Sequence, residues 1–168
     1  TDREEAGGIE RAAEAGLKTT VLERRDYASA GDWSDAAFGV CRDAGADLVV
    51  LAGFLSLVEV PEDFGLRVLN IHPSLIPAFC GQGFYGERVH RAAIERGVRV
   101  SGCSVHLVDN QYDHGPIILQ KTVPVLGDDS PESLADRVFE AECEAYPEAI
   151  GLLADGRLSL VAGRLLID

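Results

Sequence analysis

The chain has 168 residues, 46% apolar and 26% charged, with a formal net charge of −13. That length suits one domain with a real core, and no apolar run reaches the roughly 18–20 residues a membrane helix needs. The acidic balance is spread along the chain, which argues against a nucleic-acid or anionic-membrane surface but leaves room for a small anion held by local N–H groups or arginines.

In chain order, the spacing predicts a helix over 4–16, ending at Gly16, then a short strand over 18–22 (KTTVL). A polar loop follows over 26–32, and a helix over 33–44 is stopped by Gly45. The run DLVVLAGF (47–54) is continuously apolar, as suits a parallel strand buried on both faces. After a loop over 55–61, Val68 to Ile71 form a strand that must stop near His72, because Pro73 lacks an N–H and restricts the residue before it. A glycine- and aromatic-rich loop, AFCGQGFYG, leads to a helix over 88–95 ending at Gly97. Residues 101–108 alternate as a strand, with Ser104, His106 and Val108 on one face and Cys103, Val105 and Leu107 on the other. The polar loop DNQYDHGP (109–116) and a strand over 117–125 come next. Ser130 followed by Pro131 marks a strong helix start, with Pro147 expected to bend or restart that helix before it ends near Asp155-Gly156. A terminal hairpin over 158–167 turns around Gly163. The pattern is α/β: a mostly parallel open sheet flanked by helices, with antiparallel additions toward the C-terminus.

Three polar residues stand where a site belongs. Asn70 and His72 lie two apart on one strand and so share a face at its C-terminal end, the edge where open α/β sheets bind ligands. Asp113 sits in the loop after the 101–108 strand and can face His72 if that loop folds back. A carboxylate favours the charged form of an imidazole. A donating His72 with the Asn70 amide suits an oxyanion on a carbonyl under attack, and Asp113 can receive a proton directly or through water. Such a set needs no serine or cysteine nucleophile and fits acyl transfer to an amine. By spacing alone, N-x-H also occurs as a structural pair, and an aspartate in a turn commonly caps it. Cys41, Cys80, Cys103 and Cys143 form no C-x-x-C pair and read as reduced thiols of a cytoplasmic protein. His72, His90, His106 and His114 lack the spacing of zinc ligands, so no metal is assigned, and His90 and His106 read as structural or surface residues.

The stretches LAGF (51–54), LNIHPSLIPAF (69–79), GCSVHLVDNQYDHGPIILQ (102–120) and ADGRL (154–158) carry a resemblance over nearly the whole chain. The sequence resembles the folate-dependent formyltransferase family, in its phosphoribosylglycinamide formyltransferase (glycinamide ribonucleotide transformylase) branch. The resemblance implies a single Rossmann-like formyltransferase domain over 1–168. It implies an enzyme of purine biosynthesis that passes the formyl group of the co-substrate 10-formyltetrahydrofolate to the amine of phosphoribosylglycinamide. It implies small-molecule partners, with no nucleic acid or membrane expected and a homodimer possible. It implies catalytic roles for Asn70, His72 and Asp113. The reduced folate would lie against Leu55, Ser56, Leu57, Val58, Asn70, Val108, Asp109, Asn110, Gln111 and Tyr112, and Ile71 and Pro73 would flank the glycinamide. A formyltetrahydrofolate deformylase, using the same trio with water as acceptor, and an inactive binding module are the alternatives. The chain opens where the family's second strand would end, so the first strand, phosphate loop, helix and second strand are expected to be missing, exposing an apolar face. Ala30-Gly31-Asp32 stand where the family often has an arginine, Ser56 stands at a commonly basic position, and LSLVAGRLL lacks the lysine and glutamate of some members.

Overall fold

In a computed structural model, which describes residues 1–162 and 164–168, one four-stranded sheet is ordered β1 (Val49–Leu51), β2 (Val68–His72), β3 (Val100–Leu107), β4 (Ile117–Pro124). Pairing is parallel between β1 and β2 and antiparallel from β2 to β3 and β3 to β4, so the sheet is mixed. The helices are α1 (Gly8–Glu14), α2 (Ala30–Asp43), α3 (Glu87–Arg96) and α4 (Pro131–Ala154). A hairpin of β5 (Leu158–Val161) and β6 (Arg164–Ile167) closes the chain, and the expected turn residue Gly163 lies outside the described residues. Among the described residues no helix is long and apolar enough to cross a membrane.

Alternation along β2 builds the two cores. Val68 points to a cluster with Trp33, Phe38, Val58 and Phe64, on the α2 side. Leu69 points to the other face, joining Val105, Leu107, Leu134, Val138 and Ala149 under α4. Asn70 and His72 follow Val68 by two and four residues, so they share its face. The α2 helix begins earlier than the spacing of Trp33 predicts, because the Ser29 hydroxyl caps it by accepting from the Asp32 N–H. In α4, Ser130 and Ser133 cap each other reciprocally, and Pro147 lies inside one continuous helix.

Two expected strands differ. Residues 18–22 form no strand; Thr1 N donates to Thr20 O at 3.0 Å, Leu22 N donates to Thr1 O at 2.9 Å, and the Leu22 carbonyl accepts from Trp33 Nε1 at 2.6 Å. The run 47–54 yields only the three residues of β1, and Val50 is 41% exposed rather than buried. Both outcomes have one cause. Among the described residues no strand lies beyond β1, so its outer edge has no strand to pair with.

Tyr146 fastens α4 to the sheet. Its hydroxyl donates toward the carbonyls of Leu51 (2.6 Å), the last residue of β1, and Leu69 (3.1 Å), the second residue of β2. Tyr146→Phe leaves both carbonyls short of a donor, and urea denaturation is expected to show a loss of about 1–2 kcal/mol. An unchanged midpoint would show the clamp to be dispensable.

Candidate active site

The antiparallel register sets Asn70 opposite His106 and His72 opposite Ser104, so four polar side chains share one sheet face. Asp113 reaches this face from the loop after β3. Its Oδ2 lies 3.5 Å from His72 Nδ1 and accepts from the Gly81 N–H at 2.8 Å; its Oδ1 lies 3.5 Å from Asn70 Nδ2 and 3.7 Å from His106 Nε2. Asp113 itself takes a positive φ of 51°. The loop can return so tightly because Gly115 has no side chain: a Cβ there would stand 1.9 Å from the Leu107 carbonyl.

The hydrogen-bond pattern orients the cluster. A carbonyl only accepts, so His106 Nδ1, 2.8 Å from the Leu107 carbonyl, carries its ring hydrogen. Its Nε2 then offers a lone pair to Asn70 Nδ2 at 3.2 Å. The two amide hydrogens of Asn70 are thus directed at His106 and Asp113, and its Oδ1 is left free as an acceptor. His72 Nε2 likewise donates to the Phe79 carbonyl at 2.9 Å. Behind it, Ser104 Oγ donates to the Ser74 carbonyl and accepts from the Ile76 N–H and Gln120 Nε2, which fixes the turn carrying Phe79.

The cluster forms the floor of a cleft of about 1030 Å³. Leu55, Ser56, Leu57 and Val58 line one wall and Val108, Asp109, Gln111 and Tyr112 another, and Ile71 and Pro73 lie beside Asn70 and His72. Asn110 departs from the expected contacts. It stands off the lining, and its Oδ1 accepts from the Val60 N–H at 2.9 Å. Three groups are not among the expected contacts. His106 reads as structural in the sequence, although its antiparallel pairing opposite Asn70 is what brings it in. The glycine-rich 81–86 loop, with Phe84 and Tyr85, lines the rim, and α4 contributes Phe139, Glu142, Cys143 and Tyr146.

Known proteins resemble this chain in sequence and fold. A family model described as formyl transferase matches residues 1–150. The chain belongs to the formyl transferase family. This formyltransferase chain is 40% identical over 161 residues to the chloroplastic phosphoribosylglycinamide formyltransferase of Arabidopsis thaliana, covering 94% of this chain and 55% of that protein. It is 38% identical over 155 residues to the trifunctional purine biosynthetic protein adenosine-3 of Gallus gallus, covering 91% of this chain and 15% of that protein. Its fold matches the crystal structure of glycinamide ribonucleotide transformylase 1 from Symbiobacterium toebii with a TM-score of 0.91 at 45% identity, over 99% of this chain and 77% of that one. The chain spans about half the length of the curated plant relatives it matches.

Electrostatics in this cleft follow burial first. Burial pushes the His72 imidazole below its ordinary pKa, and the upward pull of Asp113 and the Phe79 carbonyl only partly offsets this. The carboxylate thus raises the imidazole as expected, but burial is the larger effect. Burial also raises the Asp113 carboxyl, but the His106 and His72 rings when charged, with the Gly81 N–H, outweigh it, and the net lies below the usual carboxylate range. Glu142 on the α4 wall is pushed up to about 7 by burial alone.

That shift has a sign. A carboxyl whose folded pKa exceeds its unfolded value favours folding most below the unfolded value, and loses this as pH rises through the folded one. Glu142→Gln is therefore expected to raise Tm by a few degrees near pH 8 and to gain little near pH 4.5. Equal gains at both pH values in thermal melts would contradict the assignment.

Proposed function

We propose that the chain transfers the formyl group of 10-formyltetrahydrofolate to the amine of 5-phosphoribosylglycinamide, a cytoplasmic step of purine biosynthesis. The observation that carries this reading is the convergence of Asn70, His72 and Asp113 on the floor of one cleft. The cleft suits the donor: Leu55, Leu57, Val58 and Val108 offer apolar walls to a flat heteroaromatic ring. Ile71 and Pro73 flank the place of the acceptor amine.

The chemistry needs an amine, an electrophilic formyl carbon and a stabilised oxygen. As the amine adds to the carbon, the formyl oxygen gains charge. His72 Nε2–H meets that charge, exchanging the Phe79 carbonyl for the substrate oxygen. The free Asn70 Oδ1 accepts an N–H of the attacking amine and aims its lone pair. Asp113 keeps the His72 ring turned and supports the cation when it forms. The proton lost by the amine passes, through Asp113 or a water on it, to the departing folate nitrogen.

The test mixes 10-formyltetrahydrofolate with the chain and follows loss of the donor with and without phosphoribosylglycinamide. Loss that requires the acceptor is the expected result. Loss without it moves the reading to a deformylase, and no loss from folded protein moves it to a binding module.

A further inference from the structure

We infer that Asn110 is a positioning residue, bracing the two walls of the cleft against each other and so setting the affinity for the folate ring. The inference rests on the proposed function for the identity of the ring, and on geometry alone for the brace. The walls come from distant parts of the chain, residues 55–60 after β1 and residues 108–113 after β3. Each is tied to its own base. The buried Ser34 of α2 accepts from the Glu59 N–H at 3.0 Å, and the Val108 N–H donates to the Val68 carbonyl at 2.8 Å. Neither bond spans the gap.

The bond that spans it is the one from the Val60 N–H to Asn110 Oδ1, and among the described residues no other hydrogen bond joins these two segments. It follows directly on the Glu59 bond, so two successive amides of the first wall are held by side chains from opposite sides. The loop bearing Asn110 is itself stiffened. Asp109 accepts from the Gln111 N–H at 2.9 Å and pairs with His114 Nδ1 at 2.6 Å. A brace between stiff supports fixes the width of the slot. A flat ring between two walls makes its dispersion contacts on both only at one width, since a gap of even half an ångström forfeits much of the attraction. Asn110 touches no ligand in this arrangement. It needs only an acceptor oxygen, which aspartate retains and alanine does not.

The experiment compares the unsubstituted chain with Asn110→Ala and Asn110→Asp by three readouts: exchange of the Val60 amide hydrogen, binding of tetrahydrofolate, and steady-state formyl transfer. Asn110→Ala is expected to speed Val60 exchange at least about tenfold, to weaken tetrahydrofolate and raise the KM of the formyl donor about five- to tenfold, and to leave kcat within about twofold. Asn110→Asp is expected to restore all three. Unchanged Val60 exchange in Asn110→Ala overturns the brace. Faster exchange with an unchanged donor KM overturns its effect on affinity and leaves a structural bond. Failure of the unsubstituted chain to bind tetrahydrofolate overturns the folate reading instead, and Val60 exchange still decides the brace.

Discussion

His72→Ala is expected to lower formyl transfer by at least about 100-fold, the scale of a lost acid or oxyanion donor. His72 is 4% exposed and sits at the last position of β2. Its two nitrogens face different partners, Nε2 the Phe79 carbonyl and Nδ1 the Asp113 carboxylate. Removing the ring therefore deletes the donor and also leaves the Phe79 carbonyl and Asp113 without it. The loss should fall on kcat, because the donor matters most as charge develops on the formyl oxygen. Substrate KM values should move little, since the walls built by residues 55–58 and 108–112 stay in place. Near-normal turnover from folded His72→Ala protein would remove His72 from the mechanism. A large loss confined to KM would make it a binding residue.

Much of this site is legible in the amino-acid sequence. Pro73 ends β2 at His72, and the two-residue spacing puts Asn70 and His72 on one face, which is the face found. Ser130-Pro131 starts α4 where expected. Local chemistry determines such features, so local sequence reports them. What the sequence does not disclose is set by partners remote along the chain. An extended run becomes a strand only against a neighbour, and 18–22 and most of 47–54 have none among the described residues. His106 looks structural because one strand read alone does not say which residue it will oppose; the register with β2 does. The direction of the His72 shift is hidden for a related reason. The nearby carboxylate can be inferred, whereas the larger effect of burial depends on the loops that close over the ring. Asn110 reads as a ligand contact because its loop lines the cleft, but its side chain turns away to Val60.

Asp113→Asn isolates a charge, which makes it the more informative of the large-effect substitutions. The backbone at 113 holds a φ of 51°, a left-handed conformation that asparagine tolerates better than most residues. The amide also keeps an oxygen for the Gly81 N–H, which now meets Asp113 Oδ2 at 2.8 Å. Loop and rim should thus survive while the negative charge goes. The Asp113 charge is the larger of the two pulls that oppose desolvation at His72, so its loss must push the His72 pKa further down. Imidazole NMR titration is expected to show that fall, and turnover at neutral pH should drop by about 100-fold or more as the cation becomes harder to form. The residual activity should rise as pH is lowered, because acid repopulates the cationic ring that the carboxylate had favoured. An unchanged His72 titration would mean that the 3.5 Å approach of Asp113 has no electrostatic consequence. In that case any loss of activity would come from the proton path, and Asp113 would act on the attacking amine rather than through His72.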